Sequence, residues 1–148
     1  SKFLGKYVEN EDFSTVYITK RMFRLMADLS ESSEDKEFHE TINTINSFCI
    51  LSSDKVNGHQ LYREVTTMVQ LKNYEELMVI REGKDLTKFL IKEAKDGKVL
   101  ELLMISGSAT DFSCLSITGN IDLDKLSRLS EKMELDGLDK LKDAKKKK

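Results

Sequence analysis

Apolar positions recur with a helical period in the first half of this chain and alternate in the second, and the change divides it into two kinds of element. Phe3, Leu4, Tyr7 and Val8 sit at helical spacing and predict a short opening turn of helix before the polar link at residues 9–12. The β-branched and aromatic run at residues 14–18 predicts a strand. Thr19 is then the N-cap of a helix from Lys20 to Leu29. In that helix Met22, Phe23, Met26 and Leu29 form an apolar stripe with Leu25 beside it, a face expected to be core. After a polar break at residues 30–35, Phe38, Ile42 and Ile45 mark a weaker amphipathic helix over residues 34–46. A strand at residues 47–52 follows. The turn at residues 54–58 leads into a helix carrying Leu61, Val65, Met68, Val69 and Leu71 on one stripe.

From there the pattern is that of strands. Residues 74–82, 86–94, 98–106 and 112–118 are four alternating or apolar runs separated by short polar links, and Asp96-Gly97 is the clearest hairpin signal among them. Links this short permit antiparallel neighbours, whereas parallel pairing needs a long crossover. Phe89 and Ile91 point one way and Lys88 and Lys92 the other, with Leu90 interrupting the polar side, so one face is expected to be buried and one largely wet. Asp122 caps a last helix with Leu123, Leu126, Leu129 and Met133 turned inward, Asp124 complements its dipole, and Leu135, Leu138 and Leu141 trail behind. The fold class is therefore α+β: a mainly antiparallel sheet, made of a C-terminal four-strand meander plus one or two N-terminal strands, with helices packed on one face.

Composition fits one such domain. The 148 residues are 39% hydrophobic and 34% charged, which describes an ordinary core under a charged surface and excludes a low-hydrophobicity disordered chain. With no proline and no glycine- or serine-rich linker, residues 1–144 read as a single domain and the four lysines at 145–148 as a disordered, solvated tail. The net charge is -2, but residues 139–148 hold six lysines and two aspartates, a local +4, so the other 138 residues sum to -6. An acidic body argues against nucleic acid as a partner, because phosphate neutralisation needs a basic face. No apolar stretch reaches the ~20 residues that span a bilayer. The chain starts at Ser1 without methionine, which is expected of a product whose targeting segment has been removed.

A search for chemistry assembles no site. His39 and His59 are 20 residues apart and belong to no metal-ligand spacing. Ser106, Ser108, Ser113 and Ser116 lie in or beside strands, form no Gly-x-Ser-x-Gly elbow, and are expected as turn and solvent-face residues. The seven glycines are scattered and cannot make a phosphate-cradling loop. The acidic pairs Glu75/Glu76, Asp122/Asp124 and Glu34/Asp35 are explained by strand alternation or by helix capping. Phe89 and Phe112 read as core rather than as an RNA-stacking face. Cys49 and Cys114 sit in apolar strand-like stretches, where a thiol is commonly a small buried hydrophobe, with a disulfide as the alternative. No catalytic, cofactor-binding or metal-ligating residue is assigned, no cofactor is expected, and the chain is expected not to be an enzyme.

Residues 16–26 (VYITKRMFRLM) and 115–123 (LSITGNIDL), together with 74–78 (YEELM) and 133–138 (MELDGL), resemble domain-of-unknown-function family 4252, small exported, lipoprotein-type cell-envelope proteins of Bacteroidetes. The resemblance covers nearly the whole domain and carries no catalytic residues onto this chain. It implies a precursor with a signal segment, often of lipoprotein type, exported to the periplasm or anchored at the membrane surface, with any lipid anchor upstream of Ser1. The expected role is that of a non-enzymatic protein-interaction module whose partner is another envelope protein, engaged through a strand edge of the meander. The alternative is a small-molecule or glycan-binding module with a pocket between helices and sheet, which the methionines at 22, 26, 68, 78, 104 and 133 could line.

Overall fold

The computed structural model describes residues 5–29, 36–70, 72–122 and 124. Helix α1 (Gly5–Val8) is followed by β1 (Ser14–Thr19), α2 (Lys20–Leu29), α3 (Lys36–Asn43), β2 (Ile45–Ser53), α4 (Gly58–Gln70), β3 (Glu75–Glu82), β4 (Asp85–Glu93), β5 (Val99–Gly107) and β6 (Phe112–Ile121). The six strands form one sheet in the order β1-β2-β6-β5-β4-β3, and each neighbouring pair is antiparallel. The α+β class and the four-strand meander hold, and both N-terminal strands join the sheet beside β6. The segment at residues 125–148, with most of the expected last helix and the lysine tail, lies outside the described residues. Asp122 Oδ1 does accept the N–H of Asp124 at 2.9 Å.

Local signals account for most boundaries. Thr19 Oγ1 accepts the Met22 N–H at 3.4 Å, the N-cap expected for α2, and Asn57 Oδ1 accepts the Gln60 N–H at 3.1 Å at the start of α4. At the β4–β5 hairpin Gly97 takes φ 86°, and its N–H donates to the Ala94 carbonyl at 3.0 Å. Two boundaries move. Ile45 belongs to β2 rather than to the preceding helix, and β6 runs through Gly119 and Asn120 to Ile121. Both extensions are held by one bridge, in which the Asn120 N–H donates to the Thr44 carbonyl at 2.9 Å.

The sheet buries side chains on both faces. Phe48, Ile50, Phe89, Ile91, Leu102, Leu115 and Ile117 share one face with Phe23 of α2 and Ile42 of α3. Cys49, Leu51, Leu90, Leu103, Ile105, Phe112 and Cys114 share the other with Tyr62, Val65 and Val69 of α4. The helices are thus divided between the faces rather than gathered on one, and the side of Leu90 expected to be wet is covered. Connectivity gives the reason: β2 lies near one edge and β3 is the other edge, so α4, the link between them, has to cross the sheet. Leu90, fully buried among polar neighbours in β4, marks its path.

Seating α4 requires two glycines. A Cβ at Gly58 would fall 1.9 Å from the Asp111 carbonyl oxygen, and one at Gly107 would fall 2.3 Å from the Gly58 carbonyl oxygen. The obstacles are backbone atoms of the β5–β6 turn and of α4, which cannot rotate away as a side chain would. Gly58→Ala and Gly107→Ala are each expected to lower unfolding free energy by about 3 kcal/mol. Gly5→Ala, which meets nothing within 4 Å, is expected to leave it unchanged or slightly raised. Urea denaturation of the three variants checks this, and equal values for all three would remove the packing argument.

Candidate functional site

Three regions could carry function. The first is a polar group under α4. Glu101 lies in β5 and is buried, and its Oε1 accepts the Tyr74 hydroxyl at 2.5 Å while its Oε2 accepts the Ser116 hydroxyl at 2.7 Å. A register shift in the β5–β6 pairing between Val99 and Glu101 breaks the alternation. Val99 therefore packs with Leu102 on the α2 side, while Glu101 stays in phase with Leu103 and Ile105. The Lys92 ammonium lies 5.5 Å from the centre of the Tyr74 ring. Ser116, expected on a solvent face, is 1% exposed because β6 is central and buried on both sides. Each carboxylate oxygen already accepts a hydroxyl, which suits a network that stabilises the floor of the sheet under α4. Its sequence signal was Glu101 inside the apolar run VLELL.

Burial, reinforced by the hydrogen bond to Glu101 and its charge, holds the Tyr74 hydroxyl well above the usual phenol range. Burial likewise raises Cys114, with Cys49 and Glu101 adding to the effect, and raises Cys49. Both thiols are free and buried, as expected of small core residues. A group whose proton is held more tightly in the folded state contributes stability that is complete below its unfolded pKa. That contribution is lost as pH climbs above the ordinary values of 9.0 for the thiol and 10.0 for the phenol. The urea midpoint is therefore expected to fall with increasing pH above about 9, and Tyr74→Phe to flatten the part of the fall above about 10. An unchanged slope in Tyr74→Phe would show that the hydroxyl titrates normally.

The second region is a cleft of about 420 Å3 at one end of the sheet, where Glu11, Asp12, Asp54 and Asp111 meet serines 14, 52, 53, 106, 108 and 113. It brings together three of the four serines singled out in the sequence. Some of its polar groups bond one another: the Ser53 hydroxyl donates to the Asp12 carbonyl at 2.5 Å, and the Asp111 N–H donates to Ser108 Oγ at 3.1 Å. These bonds hold the loops together. Among the described residues no group of three or more His, Cys, Asp and Glu side chains is arranged to hold a metal ion. His59 stands apart, 3.4 Å from Asp85 Oδ1.

The third region is the β1 edge. Within β1 no residue is charged, and Val16 and Tyr17 are 51% and 62% exposed. Tyr17 lies on the α4 side of the sheet, opposite Cys49, but α4 packs mainly over β5, β6 and β4 and leaves Tyr17 exposed. On the other side, Phe23 of α2 is buried and Met26 half-buried, but Met22 and Leu25, expected in the core, are 49% and 48% exposed. That helix sits over the outermost two strands, so only a narrow stripe of it finds sheet beneath. The opposite edge, β3, carries Glu75, Glu76, Arg81 and Glu82 and a register shift between Glu76 and Met78, the charges and irregularity that discourage edge pairing. β1 has neither device, so the open edge belongs to an N-terminal strand, while of the meander's outer strands, where pairing was expected, β6 is covered by β2 and β3 is guarded.

β1 also holds a defect, since Thr15 Oγ1 is buried without a hydrogen-bond partner. Thr15→Val is expected to raise unfolding free energy by about 1 kcal/mol, because it removes an unsatisfied hydroxyl and keeps the shape. Thermal denaturation checks this, and a loss of stability would mean that the hydroxyl has a partner.

Among the described residues no helix is long and apolar enough to cross a membrane. No curated protein and no solved structure matches the chain. The model of the family described as Domain of unknown function (DUF4252) matches residues 7–129, from the core tyrosine of α1 through all six strands. The chain belongs to that family.

Proposed function

We propose that this chain is a non-enzymatic, exported cell-envelope protein that works by binding another protein through the β1 edge. The observation that carries the interaction is the contrast between the two edges of one sheet: β3 is charged and irregular, while β1 is uncharged and flanked by exposed Val16, Tyr17, Met22 and Leu25. An edge strand offers backbone N–H and C=O groups to an added strand, and neighbouring apolar side chains supply the burial that makes such addition favourable. A protein partner also suits the acidic body better than nucleic acid does. Export to the periplasm or the membrane surface, with a lipid anchor, enters from the family resemblance alone.

Small-molecule or glycan binding is the weaker reading. It draws on the serine- and aspartate-lined cleft, which lies at the end of the sheet rather than between helices and sheet. The internal hydrogen bonding of that cleft favours the edge.

A photo-crosslinking side chain placed at Tyr17 tests the interaction in the envelope fraction of the source cells, with the same group at exposed Val79 in β3 as control. A crosslinked protein is expected from position 17 and not from position 79. Equal capture at both positions, or none at 17, would count against the β1 edge.

A further inference from the structure

Charge flanks β1 asymmetrically. Glu9, Glu11 and Asp12 precede it, Lys20, Arg21 and Arg24 follow it, and all six are exposed. The strand between them is six uncharged residues long. We infer that the protein occupying this edge is a second copy of the same chain, with β1 pairing antiparallel to β1 about a two-fold axis. The inference rests on the β1 edge being the binding surface, and it names the partner.

Antiparallel self-pairing is the arrangement that brings the acidic end of one β1 against the basic end of the other, twice per dimer. A parallel pairing would set like against like. The axis is confined to one of two places. In an edge strand alternate residues turn their N–H and C=O outward, and a residue that bonds across the axis must have an outward-facing counterpart in the other copy. Only a centre on a residue satisfies this, and the middle of the strand supplies Val16 or Tyr17. Either centre carries the sheet across the axis with its faces in phase, so the α2 side of one copy continues as the α2 side of the other.

The strand alone buries too little. Two six-residue edges fall short of the roughly 1,000 Å2 expected of a specific interface. Met22 and Leu25 add to it, because α2 leaves β1 directly at Lys20 and packs on β1 and β2, so two symmetry-related α2 helices flank the same axis. Both are α2 residues that the periodicity placed on the core face and that the monomer leaves largely exposed. A second copy would cover them.

Sedimentation velocity on the full chain tests this, with two charge variants beside it. One variant replaces Glu9, Glu11 and Asp12 by lysine, and the other replaces Lys20, Arg21 and Arg24 by glutamate. Wild type is expected at twice 17.0 kDa, dissociating at least tenfold more readily at high salt. Each variant alone places like charges at both ends of the pairing and is expected to be monomeric. An equimolar mixture of the two is expected to recover the dimer, an outcome that misfolding of either variant cannot produce. Wild type that stays at 17.0 kDa up to high concentration overturns the self-pairing. In that case a Tyr17 crosslink to a different protein leaves the edge-binding reading standing, and no crosslink ends both. A dimer that persists in each variant alone also overturns the inference.

Discussion

Two-sided burial of the central strands governs this structure. In β5 and β6 alternate side chains point into two separate apolar clusters, so neither face can be left in water and helices are required on both. Among the described residues, three helices meet part of that requirement. The link from β2 to the far edge becomes α4 and roofs one face, and the excursion between β1 and β2 becomes α2 and α3 and covers part of the other. Burial is deepest where the helices cross and thins towards β1, where Val16 and Tyr17 emerge on opposite faces. Among the described residues, helix covers the middle of the sheet more fully than the β1 edge.

The polar core follows from the same two-sided burial. Glu101 would be costly to bury alone. It is tolerated because Ser116 on the adjacent strand and Tyr74 at the entrance to β3 each bring a hydroxyl to one of its oxygens. The bulge at Val99 lets the strand turn an apolar residue to one face and an acid to the other. The glycine contacts between α4 and the β5–β6 turn fix how α4 crosses the sheet. In this domain polar chemistry is spent on holding layers together.

Much of this was legible in the sequence. Alternation and short links located the meander, Asp96-Gly97 located the β4–β5 hairpin, and Thr19 located the start of α2. What failed was non-local. Periodicity shows that Met22, Phe23, Leu25 and Met26 share a side of a helix, but not how wide a strip of sheet lies beneath it. Lys88 and Lys92 announced a wet face because their alternation is local, while the helix that covers Leu90 arrives from a different part of the chain. Ser116 looked like a surface hydroxyl because its partner, Glu101, is 15 residues away on another strand. The open edge could be read only after strand order was known, since the sequence of β1 does not say that, among the described residues, no strand pairs with its outer side.

Amide hydrogen exchange resolved along Ser14–Thr19 measures directly whether β1 is an unpaired edge in the isolated molecule. In dilute protein, alternate amides of β1 are predicted to exchange rapidly while those of β5 exchange only through global unfolding, and the fast β1 amides are predicted to gain protection as protein concentration rises. Uniform slow exchange across β1 at every concentration would contradict the account, because it would mean that the edge is already paired within a single chain.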